Sequence, residues 1–234
     1  MKMKTLGILG GVGPQTTSKV YLSVIDLVRK NGKDKYPPIL IYNLPFPFII
    51  ENEAIIQGIS SEKMLPYLID GSKILEKAGA DFGILPCNTL HKYIYEIRES
   101  VRFPFLSILE ETVLELKLKK IKTVGILATE TTIQSKIYEN ILKENEINIL
   151  YPSQEEQEII NNIIVELLNG GRSDLYTQNI EMICNSLQKK GAGNILLACT
   201  DLQLAMVNVN SPIAVIDTTD ILIRASVREL LKKQ

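Results

Sequence analysis

A chain of 234 residues, 45% hydrophobic and 23% charged, has the composition of an ordinary globular protein and the length for one large or two small domains. A formal net charge of −1 and a pI near 6.0 give no electrostatic footprint for nucleic acid or an anionic membrane. No apolar run approaches the roughly 18 residues of a membrane helix, and three widely spaced cysteines form neither a disulfide framework nor a zinc site, so a reduced, cytoplasmic setting is expected.

Lys2 and Lys4 precede Leu6-Gly-Ile-Leu9, but this apolar run is too short for a secretory signal and meets glycine at once. Bounded by glycines, Lys4 to Leu9 reads as a buried parallel strand. Gly10-Gly11-Val12-Gly13-Pro14 then turns into a helix through Tyr21, Val24, Ile25 and Val28. Proline is tolerated in a first helical turn, and the glycines let backbone N–H groups face an anion there. As a nucleotide fingerprint the turn is incomplete, since it lacks the third glycine, and a plain strand-to-helix turn is the commoner meaning. Pro38 to Tyr42 forms a second strand, followed by a proline-rich apolar loop from Asn43 to Glu51 that reads as a lid or a partner surface. A helix carrying Leu65, Leu68, Ile69 and Ile74 leads to the strand Phe82 to Leu85, which stops at Pro86.

There the chain places Cys87, Asn88 and Thr89 directly before a helix reaching about Glu99, with His91, the one histidine, a helical turn beyond the thiol. Polar groups at the C-terminal end of such a strand are where open α/β sheets hold ligands. Pro104 to Leu109 is predicted as another strand ending at Glu110, and a helix through Val113, Leu114, Leu116 and Leu118 follows.

The pattern then restarts. Thr123-Val-Gly-Ile-Leu127 echoes Thr5-Leu-Gly-Ile-Leu9, with Ala128-Thr129-Glu130-Thr131-Thr132 in place of the glycine turn before a helix to about Lys143. A short strand at Ile147 to Leu150 and two helices, Gln154 to Leu168 and Leu175 to Lys189, lead to Gly191-Ala192-Gly-Asn-Ile-Leu-Leu-Ala198-Cys199-Thr200-Asp201. Each cysteine stands eight residues after a Gly-Ala pair, Gly79-Ala80 in the first case and Gly191-Ala192 in the second. Pro212 to Thr219 echoes Pro104 to Glu110, and an amphipathic helix from Ile221 to Leu231 closes the chain.

Three strand motifs thus recur in one order, roughly 110 to 120 residues apart, a spacing suited to two small α/β domains. The fold expected is two pseudo-symmetric three-layer α/β/α domains with parallel sheets and the site in the cleft between them. The first domain is assigned to residues 1–113 plus 212–234, taking back the last strand and helix by exchange, and the second to 114–211.

A lone cysteine at a strand end is usually a small buried hydrophobe. Two in matched positions of a repeat, each followed by polar residues, are instead a candidate pair facing one small molecule across the cleft. One thiolate takes a proton from a carbon and the opposite thiol returns one to its other face, which inverts the centre. Helix starts can lower a thiol's pKa toward neutrality. Asn88, Thr89, Thr200 and Asp201 offer groups for an amino acid's carboxylate and ammonium, while the N–H groups of Gly11, Val12 and Gly13 and of Thr129 to Thr132 are available to stabilise a carbanion. No lysine sits in a recognisable pyridoxal context, so no cofactor and no metal is expected. Gln15 is a candidate behind the first turn. His91 either orients Cys87 or has a structural role. Cys184, on one helical face with Ile180, Ile183 and Leu187, reads as core.

Gly-Ile-Leu-Gly-Gly-Val-Gly-Pro at 7–14, Pro-Cys-Asn-Thr-Leu-His at 86–91 and Ala-Cys-Thr-Asp at 198–201 resemble the aspartate/glutamate racemases, as do Glu110-Glu111-Thr112 and Glu156-Gln157. The resemblance spans essentially the whole chain. It implies a pyridoxal-independent amino-acid racemase acting on a small-molecule amino acid, aspartate or glutamate by family, and usually a homodimer. Cys87 and Cys199 become the two acid–base groups, Asn88, Thr89 and Thr200 contacts to the substrate's carboxylate or ammonium, and Thr132 a contact on the second wall. The chain departs from the pattern where aspartate-acting members carry an arginine after the second strand and a lysine before the Gly-Gly break, which are Ile49 and Asn169 here. Arg172 is near enough in sequence to stand in for them. Ala198 and Asp201 replace the usual glycine and glutamate around the second cysteine. The alternatives carried forward are a racemase of a neutral amino acid, a single-cysteine nucleophile enzyme such as a maleate-isomerase-like one, and a non-catalytic amino-acid-binding relative.

Overall fold

A computed structural model describes residues 3–232 apart from 33, 52, 55–57, 60, 169 and 172. Strand β1 (Leu6–Gly10) is wholly buried and passes into helix α1 (Pro14–Lys30), with Pro14 in its first turn. After β2 (Ile39–Asn43) come the one-turn helix α2 (Phe48–Glu51) and α3 (Leu65–Lys77). Strand β3 (Phe82–Ile84) ends at the Cys87 turn, whose 3₁₀ segment Thr89–Tyr93 runs on into α4 (Ile94–Glu99). Strand β4 (Phe105–Leu106) and α5 (Ile108–Leu118) end the first half.

The second half repeats the order: β5 (Thr123–Leu127), α6 (Glu130–Gln134), α7 (Ile137–Glu144), β6 (Asn148–Leu150), α8 (Gln154–Leu168), α9 (Thr177–Lys189), β7 (Asn194–Leu197), α10 (Leu202–Ala205), β8 (Ala214–Asp217) and α11 (Thr218–Leu231). The strands form two four-stranded parallel sheets of the same topology, β2-β1-β3-β4 and β6-β5-β7-β8. Each is covered on both faces, as parallel sheets require. Between the sheets lies one core joining Leu6, Ile8 and Ile84 to Val124, Ile126 and Leu196 through the helices α1, α5, α7 and α11. The outer faces are sealed by α3 and α4 on the first sheet and by α8 and α9 on the second, where Cys184 is fully buried among Ile180, Ile183 and Leu187. Among the described residues no helix is long and apolar enough to cross a membrane.

Three local expectations are corrected. Residues 212–217 do not return to the first sheet: β8 pairs in parallel with β7, Ile195 opposite Val215 and Leu197 opposite Asp217, and so is the fourth strand of the second sheet, as β4 is of the first. Helix α11 packs on α1 and α5, and its Arg228 and Arg224 reach Glu111 and Glu115 of α5. The predicted strand 104–109 is two residues long, because Ser107 accepts the Glu110 N–H and starts α5 early. The helix expected to reach Lys143 in one piece breaks at Lys136, whose φ of 55° is left-handed, into α6 and α7.

Both sheets reverse their winding at the same place, between β1 and β3 and between β5 and β7. In such sheets the crevice beyond the carboxyl ends of those two strands is the ligand site. Here the first crevice is flanked by the Gly11–Gly13 turn and Cys87, and the second by the Thr129 turn and Cys199.

Candidate active site

Cys87 and Cys199 are 5% and 6% exposed, and both line one small cavity between the two crevices. The first half contributes Val12, Gly13, Asn88 and Thr89 to its walls, and the second Thr129, Thr200 and Asp201. Glu51 of α2 and Leu168 at the end of α8 complete the lining. The two sulfurs are held alike. The N–H groups of Thr89 and Leu90 point at Cys87, and those of Asp201 and Leu202 at Cys199, two and three residues past each cysteine.

Two polar networks behind the walls lock the halves in register. Thr89 Oγ1 lies 3.2 Å from Thr129 Oγ1 and 2.9 Å from Thr132 Oγ1, and Thr129 Oγ1 donates to Thr132 Oγ1 at 2.9 Å while capping α6 through the Thr132 N–H. This triangle of buried hydroxyls pins the turn after Cys87 to the start of α6. Beside it the Tyr138 hydroxyl donates to Asn88 Oδ1 at 2.6 Å, Asn88 Nδ2 donates to Thr218 Oγ1 at 3.1 Å, and Thr218 Oγ1 donates to the Leu197 carbonyl oxygen at 2.9 Å. The residue after one cysteine is thereby tied to the strand leading to the other. Buried polar groups are costly unless paired, so these chains fix one relative placement of the walls.

The glycine turn serves close approach. Gly13 has φ 74°, and a Cβ there would stand 3.1 Å from Asp201 Oδ1; at Gly11, with φ 96°, a Cβ would press on the Leu44 nitrogen at 2.8 Å. The Gly13 N–H points at the Glu51 carboxylate, and Thr16 Oγ1 donates to the Thr200 carbonyl oxygen at 3.5 Å.

His91 does not touch a thiol. Its Nδ1–H donates to the Cys87 carbonyl oxygen at 2.6 Å and its Nε2 accepts the Ile108 N–H at 3.0 Å, so a neutral ring staples the Cys87 turn to the start of α5. Gln15, expected behind the first turn, is exposed on the outer surface of α1, because the helix turns Thr16 and Thr17 inward instead. Gly11, Thr131 and Thr132 lie outside the cavity lining: the Gly11 N–H is taken by Thr17 Oγ1 at 3.1 Å, Thr131 faces Gly58, and Thr132 sits in the hydroxyl triangle. Glu110 turns away to a paired contact with Arg98, and Asp217 caps α11 through the Thr219 N–H. Ile49 is 68% exposed and outside the cavity, while Asn169 and Arg172 lie outside the described residues. Glu51 and Leu168 were not singled out from the sequence. The one signal for Glu51 is a carboxylate in the lid-like loop after β2, and Leu168 gave none.

Electrostatically the cavity is acidic, with Glu51 and Asp201 on its wall. Burial pushes the Cys87 thiol up to about 12, against the pull of the Leu90 and Thr89 N–H groups, with Asp201 and Glu51 adding to the rise. Cys199 is raised further, first by burial and then by Asp201. Burial also lifts Asp201 to about 6, and Glu51 above its ordinary value. Among the described residues no group of three or more His, Cys, Asp or Glu side chains is placed to hold a metal ion.

Two equivalent α/β halves enclosing one acidic cavity with a thiol at each strand end define a class of two-cysteine proteins built for one small ligand. The sequence signature of the Asp/Glu/hydantoin racemases matches residues 9–226, and the chain belongs to that family. The broad-specificity amino-acid racemase RacX of Bacillus subtilis is 34% identical to it over 233 residues, covering 98% of this chain and 99% of RacX. An aspartate racemase homologue from Pyrococcus horikoshii superimposes with a TM-score of 0.81 at 28% identity over 98% of this chain and 100% of its own. The Picrophilus torridus aspartate racemase gives 0.78 at 26% identity over 98% and 95%.

Proposed function

We propose that this protein is a cofactor-independent amino-acid racemase in which Cys87 and Cys199 are the acid–base pair. The observation that carries the reading is two thiols at equivalent ends of two equivalent sheets, both lining one cavity between the halves. With the α-carbon between the sulfurs, the thiolate on one side takes the α-proton and becomes a thiol. The electron pair stays on the α-carbon as a carbanion, and the opposite thiol gives that carbon its proton on the other face and becomes the thiolate. The next turnover of the product enantiomer runs in reverse, so no net proton is consumed. Burial and Asp201 favour the thiol form of both sulfurs, and Glu51 adds to this at Cys87. An ammonium entering beside Asp201 offsets that negative charge and favours the thiolate.

Aspartate and glutamate are the substrates the family name carries, but Ile49 and Asn169 stand where aspartate-acting members carry cations, and the Glu51 carboxylate in the cavity wall argues against a second acidic group there. The exposed apolar side chains Tyr36, Phe48 and Ile49 near the free edge of β2 support a homodimer. Chiral chromatography of each L-amino acid after incubation with the purified protein tests the racemase reading. D-enantiomer from at least one amino acid, lost in Cys87→Ala and in Cys199→Ala, is the expected result. Turnover that survives either substitution would refute it.

A further inference from the structure

We propose that Gln157, working with Asn161, is a positioning residue of the reaction: from α8 the two side chains clamp the peptides on both sides of Thr129 and fix the wall that Thr129 gives the cavity. The inference rests on the racemase reading and adds to its machinery two residues that line no part of the cavity.

The clamp is a chain of donors and acceptors whose two ends are backbone. Gln157 Nε2 donates to the Ala128 carbonyl oxygen at 3.0 Å and to Asn161 Oδ1 at 2.9 Å, and Asn161 Oδ1 also accepts the Glu130 N–H at 3.2 Å. A carbonyl at one end and an N–H at the other leave each amide one orientation: Asn161 must accept, so Gln157 must donate twice. The two residues meet because they stand one helical turn apart on α8. Between the clamped groups lies Thr129, which lines the cavity, caps α6 and reaches Thr89, the second residue past Cys87. Helix α8 therefore holds the second wall near its start, while Leu168 at its other end lines the cavity itself.

Stability alone does not account for a glutamine here. Gln157 is 7% exposed, and its Oε1 is buried with no hydrogen-bond partner among the described residues. An unmet buried carbonyl is costly. Methionine has nearly the same shape without that carbonyl, but it cannot hold the Ala128 oxygen. Putting it there trades an unmet oxygen on the side chain for one on the backbone, which leaves the fold nearly as stable and the turn unclamped. A misplacement of about 1 Å at a reacting site costs about a hundredfold in rate, so even a small drift of Thr129 registers in kcat.

With the amino acid that wild type racemises best, kcat and KM are measured for wild type, Gln157→Met, Gln157→Glu and, as a control on the exposed side of α8, Glu158→Ala. Gln157→Met should lower kcat by about ten- to a hundredfold with KM within about threefold, and should melt within about 4 °C of wild type. Gln157→Glu carries its own readout. Ionised, its carboxylate faces two acceptor oxygens and cannot clamp; protonated, its hydroxyl donates to the Ala128 oxygen. Its kcat relative to Gln157→Met should therefore rise at least about fivefold as pH falls from about 8.5 to about 5.5. The ionisable groups around it, Glu130, Tyr151, Glu156, Glu158 and Lys190, are present in both variants, as are the thiols and Asp201, and cancel in that ratio. In ligand-free protein, amide hydrogen exchange of residues 128–132 should quicken about tenfold in Gln157→Met and stay unchanged in Glu158→Ala. Wild type that turns over no amino acid brings down the racemase reading. Wild type that does, with Gln157→Met running within about twofold of it, with a flat pH ratio or with unchanged amide exchange, overturns this proposal alone.

Discussion

Replacing His91 by glutamine tests how the site is braced, with a magnitude that follows from its surroundings. The imidazole is 1% exposed and is held between the Cys87 carbonyl oxygen and the Ile108 N–H. Protonation would turn Nε2 from an acceptor into a second donor facing that N–H. Burial is the main cause that lowers its pKa from 6.5 to about 4. A histidine depressed in the folded state contributes stability that is complete above pH 6.5 and is lost as pH falls toward 4. Integrating between those values gives a loss of about 2.5 kcal/mol from pH 7.5 to pH 4.5. Glutamine does not titrate and leaves at least one buried partner unmatched, at a cost of about 1–3 kcal/mol. Urea unfolding of both proteins at pH 7.5, 6.5, 5.5 and 4.5 gives the difference directly. Wild type should lead at pH 7.5, and the two curves should meet or cross near pH 4.5. Asp201, raised to about 6, drives stability the opposite way over much of the same window, but it is present in both proteins and cancels. A gap that stays constant with pH would refute the buried neutral staple.

The ligand-free thiols should alkylate slowly with iodoacetamide at neutral pH, with labelling of Cys87 still accelerating at pH 10; Asp201→Asn, which removes a charge that raises both thiols, should move that curve to lower pH, as read by peptide mass spectrometry. Tyr138→Phe removes the donor to Asn88 Oδ1 and should cost about 1–3 kcal/mol of stability. In the same variant kcat should fall by about tenfold with KM little changed, because the tie between the two walls is loosened while the cavity lining stays intact.

What could be read in advance was what repeats. Two cysteines at one offset from two Gly-Ala pairs, each after a buried strand, are fixed by local pattern, and the equivalent sheet orders bring them to one cavity. The assignment of 212–234 to the first domain took the resemblance of 212–219 to 104–110 as shared membership, whereas the strand in each segment is the fourth of its own sheet. The wall residues divide by whether local pattern determines them. Thr89 and Thr200 follow their cysteines directly, but Gln15 and Thr16 differ only in which side of the first turn of α1 faces inward, and no period is established so close to a helix start. Glu51 reaches the cavity only because a short helix folds back from the edge of the sheet, a path set by packing that the local sequence does not encode. The break at Lys136 puts a non-glycine residue at positive φ, where composition gives no warning.

The central claim is that each face of the α-carbon has its own acid or base. The most direct measurement follows a single enantiomer of a turned-over amino acid in deuterium oxide, reading label in residual substrate and in product at early conversion. A thiolate that removes a proton and keeps it, opposite a thiol that has exchanged with solvent, gives product deuterated at the α-carbon and substrate still protiated. Protium retained in the product, or label entering substrate and product equally from the first time points, would contradict the account.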